Sequence, residues 1–333
     1  MTASEKTDIL EELQYYKNEV KRIWSSYYSF DQIMGNSLLI LEAKTKAWNM
    51  APTHTPILLA GEQGTGKRLF AHAIHQDSPQ KDGPFITINC MTDPELARDK
   101  LLGSTETASG LFNPANKDKP SYYAGATVFV HEVLHLPVET QNQLVEILVN
   151  SSFANKTRPA FPRLIATSSQ SLKDTEQNLS VSKDFMNFIN DSIIILPPLR
   201  SRLEDIPAVC HRFIHEINTI AGTTVTGISD RAMDFMIQYD WPGNISELKA
   251  VIERACLDAQ TGLIEVDNLY LLQTRMQGSD YPPKLKEAVM RAEKEAILKA
   301  LAFSKGNKKQ AAELLGITRT SLYNKIKDLN LDV

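Results

Sequence analysis

Residues 56–70 read PILLAGEQGTGKRLF: a short apolar run, a glycine-rich turn and the opening of an amphipathic segment. Pro56–Ala60 has the length and apolar content of a buried strand. The turn Gly61-Glu62-Gln63-Gly64-Thr65-Gly66-Lys67 fits the pattern G-x-x-x-x-G-K, and Arg68-Leu69-Phe70 opens a helix. Small residues in such a turn let consecutive backbone N–H groups face a phosphate. The helix dipole adds to the attraction and Lys67 supplies a point charge. The next position, where Ser or Thr ordinarily holds Mg²⁺, is Arg68. A glycine turn without ligand is the plainer alternative.

Outward from this stretch, FITI (85–88), ATVFV (126–130), RLIAT (163–167) and SIIIL (192–196) are further short apolar runs separated by polar or helical segments. That alternation predicts an α/β fold with a parallel sheet covered on both faces. Beyond Pro197-Pro198 the pattern changes, and residues 205–272 read as helices only. Within them Trp241-Pro242-Gly243-Asn244 is a turn, with Asn244 a helix N-cap. Residues 273–283 (QTRMQGSDYPP) read as a linker. Upstream, Ile9, Leu13, Tyr16, Val20, Ile23 and Tyr27 form a heptad seam over residues 8–28. This fits equally a short dimerising helix and an amphipathic helix packed on the next domain.

The last fifty residues read as three helices: about 285–303, then Lys308–Leu315 ending at Gly316, then Arg319–Leu329 with Thr318 as cap. Leu322, Ile326 and Leu329 form the apolar stripe of the third, and Ala311 and Ala312 leave room for close helix approach. This is helix-turn-helix spacing. It keeps Arg319, Thr320, Ser321, Asn324, Lys325 and Lys327 off the stripe, where they are candidates for contact with double-stranded DNA. Charge agrees: Lys284–Val333 holds 11 Lys+Arg against 6 Asp+Glu, a balance of +5, whereas the whole chain is −4, leaving −9 on residues 1–283. A basic end on an acidic body points to a polyanion at that end alone. A helical hairpin with solvated lysines is the bland alternative.

At 333 residues the chain is long enough for two or three domains of about 150 residues. Its 42% hydrophobic and 23% charged content excludes a disordered or fibrous chain. No apolar run reaches the roughly 18 residues of a membrane span, and the start MTASEKTDIL lacks a secretory apolar region, so a cytoplasmic protein without a membrane partner is expected. Cys90, Cys210 and Cys256 lie far apart without metal-ligand spacing and are expected as buried, reduced thiols. His131-Glu132-Val133-Leu134-His135 spells H-E-x-x-H. The zinc chemistry of that motif needs both histidines on one helix face, and here a strand runs into the motif and Pro137 follows it. No metal ligands are assigned.

Taken in order, YSFDQIMG (28–35), GEQGTGK (61–67), FITINC (85–90), VFVHE (128–132), LPPLRSRLEDIP (196–207), WPGN (241–244) and GNKKQAAELLGITRTSLYNKIK (306–327) resemble the bacterial enhancer-binding proteins. These are the NtrC-type AAA+ activators of sigma-54 RNA polymerase that carry a Fis-type helix-turn-helix. The resemblance implies a five-stranded AAA+ core over 29–198, a helical lid over 199–272, the linker 273–283 and a Fis-type DNA-binding domain over 284–333, with the N-terminal helix over 1–28. It implies ATP or ADP at Gly61–Arg68, self-association as a dimer or ring, and RNA polymerase as a partner. The family's sensory domain has no counterpart ahead of the core, which implies control by a partner protein, by expression level, or none.

The departures from the family fall on catalytic positions. The third strand ends His131-Glu132 where the family has Asp-Glu, so magnesium loses its usual carboxylate. Glu132 remains to polarise water, and Asn89 stands where the family partners that glutamate. Ser168-Ser169 matches the sensor I Thr-Asn only loosely. Ser182 and Phe188 occupy the arginine-finger positions, with Asp184 between them matching, and Ser246 occupies that of the sensor II arginine. An arginine finger is worth roughly 10³–10⁵ in rate, so the resemblance implies a domain that holds nucleotide and hydrolyses it poorly. The polymerase-contacting GAFTGA positions read as Thr107-Ala108-Ser109-Gly110-Leu111-Phe112, one match in six. An active ATPase with unusual residues, or a subunit that joins an intact paralogue, are the competing expectations.

Overall fold

The computed structural model describes residues 28–103, 110–112, 125–154, 162–170, 181–270, 272, 296–297, 299–301, 303–304 and 307–328; for 151–154, 320, 324 and 326–328 it describes the backbone alone. The heptad seam over 8–28, the linker 273–283, Leu329 and most of the helix expected over 285–303 lie outside the described residues. The chain divides into two compact units, Met1–Tyr270 and Leu271–Val333.

In the first unit all five predicted strands form: β1 (Ile57–Ala60), β2 (Phe85–Asn89), β3 (Thr127–His131), β4 (Arg163–Ser168) and β5 (Ile193–Ile195). They make one parallel sheet in the order β2-β3-β4-β1-β5. Because side chains alternate along a strand, each run serves two cores at once. Leu58, Val128, Val130, Leu164 and Ala166 face one cluster, completed by residues of α3 (Pro94–Leu102), α4 (Val138–Ala154) and α5 (Lys183–Ile189). Ile57, Leu59, Phe129, Ile165 and Ile194 face the other, beneath α1 (Leu38–Met50) and α2 (Lys67–Gln76). From β1 the chain passes to β2 at one edge, and from β4 it passes beyond β1 to β5 at the other, so a topological switch point lies at the ends of the neighbouring strands β1 and β4.

Residues 205–272 are not helices alone. Between α6 (Ile206–Ala221) and α7 (Asp230–Ile237) runs β6 (Thr224–Ile228), and after α8 (Asn244–Ala259) comes β7 (Thr261–Ile264). The two strands pair in parallel with an irregularity between Val225 and Gly227. Gly222 ends α6 in the left-handed conformation (φ 70°) and starts the turn into β6. The helices α6 and α8 pack through Val209, Cys210, Phe213, Leu248, Ile252 and Cys256, all buried. The three cysteines are free and buried.

In the second unit α9 (Lys308–Leu314) is capped by Asn307, whose side chain accepts from Lys309 and Gln310 N–H. Gly316 turns the chain at φ 67° into α10 (Arg319–Asp328), where Thr318 Oγ1 accepts from Ser321 N–H at 3.2 Å. Ala311, Ala312 and Leu322 close a small core with Ile297, Ala300 and Leu301. No helix among the described residues is long and apolar enough to cross a membrane.

Candidate nucleotide site and DNA-reading helix

The glycine-rich turn links β1 to α2 at the switch point. Gly64 sits at φ 80° under the lid, and a Cβ there would lie 2.1 Å from the Gly243 carbonyl oxygen, so no other residue fits. Gly64 O in turn accepts from Ile245 N–H at 3.0 Å. The first-turn N–H groups of α2 have no intrahelical acceptor, and Gly66, Lys67 and Arg68 line a cavity of about 580 Å³. Its far wall is His131, Glu132 and Ser169. A glycine-rich cradle, a helix N-terminus and this volume fit a nucleoside di- or triphosphate.

Lys67 is buried and its three donors are all engaged: Gly61 O at 2.6 Å, Glu62 O at 3.2 Å and Ser169 Oγ at 2.7 Å. Burial lowers its pKa, against the opposing pull of Glu132, whose Oε1 lies 3.6 Å away. Glu132 follows β3 in the left-handed conformation (φ 58°) and is itself buried. Ser169 N–H and Oγ donate to its two oxygens at 2.7 and 2.6 Å. Asn89 lines the same cavity, but its amide holds Met91 N–H and Thr92 Oγ1. The expected Asn89–Glu132 partnership is therefore replaced by Ser169–Glu132, because the Asn89 carbonyl closes a local turn at the strand end.

His131 ends β3 beside the cavity; burial lowers its pKa, with Glu132 opposing and Lys67 and Arg68 adding to the fall. Val133–His135 is a single 3₁₀ turn, so the two histidines of H-E-x-x-H do not share a helix face. Glu132 is the one carboxylate lining the cavity among the described residues, and both its oxygens are occupied. Octahedral magnesium at a nucleotide site draws on protein carboxylates, substrate phosphates and water, and this donor set does not fit the carboxylate part of that shell.

Asn244 is not the cap of α8. It opens the helix at φ 52°, Gly243 takes the cap position, and Glu247 accepts Gly243 N–H at 2.7 Å. The Asn244 side chain is fully buried and ties three segments together. Its oxygen accepts Leu199 N–H at 2.7 Å, while its nitrogen donates to Gln63 O at 2.9 Å and to Glu62 Oε2 at 3.2 Å. Arg200 grips the same Glu62 carboxylate through two N–H groups, which lowers the Glu62 pKa. The sequence offered no signal for Arg200 beyond its place after Pro197-Pro198.

Three family models match in register with this layout: the Sigma-54 interaction domain over residues 33–194, the AAA+ ATPase lid domain over 200–284, and the Fis family of bacterial regulatory proteins over 289–329. The transcriptional activator RocR of Bacillus subtilis is 34% identical over 91% of this chain and 69% of its own length. The chain belongs to the sigma-54 activator family. The nitrogen fixation protein VnfA of Azotobacter vinelandii is 35% identical over 90% of this chain, which spans 59% of VnfA. The crystal structure of NtrX from Brucella abortus in complex with ADP superposes with a TM-score of 0.64 at 27% identity, covering 99% of this chain and 77% of NtrX.

Against the family pattern, Ser182 is the N-cap of α5, accepting Phe185 N–H and donating to Asn142 Oδ1. Phe188 packs half-buried against the core and Ser246 lines the cavity. Of the six positions read as GAFTGA, 107–109 lie outside the described residues. Gly110, Leu111 and Phe112 are buried, and Leu111 and Phe112 N–H donate to Lys100 O and Leu101 O. Leu111 and Phe112 belong to one of the two core clusters that flank the sheet. A Cβ on Gly110 would lie 2.1 Å from Gly103 N, so no other residue fits at that position.

In the second unit, Lys308 Nζ and Arg319 Cζ both lie over the Tyr323 ring, at 5.4 and 5.7 Å from its centre. Tyr323 is exposed and joins Arg319 and Ser321 on the accessible side of α10; it was absent from the sequence-derived set. Lys325 lies one turn further along the helix, half-buried. The side chains of Thr320, Asn324 and Lys327 lie outside the described residues.

Proposed function

We propose that this chain is a sequence-specific DNA-binding transcription regulator of the enhancer-binding type. It holds ATP or ADP at Gly61–Arg68, hydrolyses it poorly, and acts otherwise than by conventional sigma-54 remodelling. The observation that carries the reading is the end of β3. His131 stands at the metal position, and Glu132, the residue left to activate water, has both oxygens held by Ser169. Three changes compound this: Ser182 and Phe188 take no arginine role, and Ser246 offers a hydroxyl where a guanidinium would meet phosphate. The absence of two fingers alone removes several orders of magnitude in rate.

The polymerase-contacting positions depart as well: one of the six matches GAFTGA, and Leu111 and Phe112 are buried in the core. DNA contact falls to α10 and the basic segment 284–333, whose domain boundaries follow the sequence reading. Self-association as a dimer or ring is the family expectation, with an intact paralogue or RNA polymerase as a further partner.

Steady-state phosphate release from the purified full chain, alone and with Lys67→Ala, tests the catalytic half of this reading. Turnover at the background level in both proteins is expected. Family-like turnover abolished by Lys67→Ala would establish the active-ATPase alternative instead. Genome-wide DNA occupancy, with and without residues 284–333, tests the other half.

A further inference from the structure

The cavity that receives the nucleotide in the reading above is lined by two formal cations, Lys67 and Arg68, two imidazoles, His131 and His135, and the single carboxylate of Glu132. That carboxylate already accepts from Ser169 N–H and Oγ and faces Lys67 Nζ, so its charge is neutralised within the protein. The remaining oxygens are neutral side chains, and Asn89 Oδ1 is occupied by Met91 N–H. The described protein groups therefore offer a hard dication no unoccupied carboxylate, and only the phosphates and water would be left to hold it.

The tautomer of His131 sharpens the point. Its Nδ1 is buried without a hydrogen-bond partner among the described residues. A buried N–H without an acceptor is costlier than a buried lone pair, so the proton belongs on Nε2 and the ring is neutral. His131 lines the cavity, and on this tautomer the nitrogen left to meet a ligand is Nε2, an N–H donor. An N–H donates to a phosphate oxygen and repels a metal ion. Arg68, exposed at the first turn of α2, adds a planar set of donors suited to phosphate.

From these observations we infer that the site binds nucleoside di- and triphosphates without a divalent cation, Arg68 and His131 supplying the phosphate contacts that magnesium supplies elsewhere. The inference rests on the nucleotide reading of the cavity and adds its ionic requirement. Low turnover then follows from the binding mode itself, since no metal is present to polarise the terminal phosphate.

Calorimetric titration of the metal-stripped full chain with ATP and with ADP, in EDTA and in magnesium chloride, decides the matter. The dissociation constants should agree within about threefold between the two conditions. A loss of about tenfold or more on chelation overturns the inference while leaving the nucleotide site intact. No binding in either condition overturns the site reading as well. His131→Asp returns a carboxylate to the end of β3 and should make binding magnesium-dependent by about tenfold; a variant that remains indifferent to magnesium counts against the role of His131. Should that variant fail to fold, Arg68→Ala serves in its place: it should weaken binding in EDTA by about fivefold or more. An unchanged constant removes Arg68 from the phosphate contacts and overturns the assignment.

Discussion

Replacing Asn244 by alanine should destabilise the first unit far more than its place in a surface turn suggests. The side chain is fully buried, and its oxygen is the partner of Leu199 N–H at 2.7 Å, while its nitrogen holds Gln63 O at 2.9 Å. Truncation leaves a buried donor and a buried acceptor unsatisfied, each costing about 1–3 kcal/mol, the donor more. Asparagine also tolerates the left-handed φ of 52°, which costs alanine about 1–2 kcal/mol. The expected loss is thus about 3–8 kcal/mol. Asn244→Gly removes the same hydrogen bonds without the backbone strain, so it should lie about 1–2 kcal/mol above the alanine variant. Urea unfolding followed by far-ultraviolet circular dichroism measures both. An alanine variant within about 1 kcal/mol of the parent, inside the ordinary range for surface positions, would falsify the bridging role. Equal stability of the two variants would show that the left-handed backbone is not held against strain.

Burial lowers His72 and His75 to a pKa of about 4 from 6.5, with Arg68 and Arg163 respectively assisting. The unfolded chain therefore takes up protons first as pH falls. Stability is complete above pH 6.5 and is lost towards pH 4, by about 3 kcal/mol per histidine. His72→Phe keeps the stack between Tyr28 and Phe85, 4.2 and 4.0 Å away, and should remove about half of that acid sensitivity in pH-dependent melting; an unaltered pH profile refutes the assignment. Lys67→Ala should reduce ATP and ADP affinity by about tenfold or more in calorimetry, and retained affinity would place the ligand elsewhere. In the DNA-reading unit, Lys325→Ala and Lys327→Ala should weaken all sequences alike and lower the salt slope by about one each. Arg319→Ala should instead cost about 1–3 kcal/mol at one base position in a site-variant binding series.

The sheet was legible because its strands are short apolar runs bounded by turns, and the central strands β1, β3 and β4 are buried on both faces, which leaves such runs no other place. Thr224–Ile228 and Thr261–Ile264 escaped because threonine and glycine fill them and three of the four β7 residues are exposed; their pairing is decided by α6 and α8 packing, which no local pattern encodes. The phosphate loop was legible for the opposite reason: its chemistry is local, in seven consecutive residues. Asn244, Arg200 and Ser169 act across the chain, and sequence spacing carries no trace of such contacts. The burial of Leu111 and Phe112 was not legible, because spacing says nothing about whether a side chain faces solvent or core.

The closed state of Lys67 sets how a ligand must enter. A primary ammonium has three donors, and Gly61 O, Glu62 O and Ser169 Oγ occupy them all. Two of these acceptors are backbone oxygens fixed by the loop, whereas Ser169 Oγ moves by one rotamer change. On the proposed nucleotide reading, a phosphate oxygen takes the place of Ser169. Turning Ser169 away also breaks its 2.6 Å bond to Glu132, so occupation of the loop reaches the ends of β3 and β4 through one hydroxyl. On the reading proposed above, the same movement is a binding-linked change of conformation, bounded in energy by the differential affinity of the nucleotide for the two states.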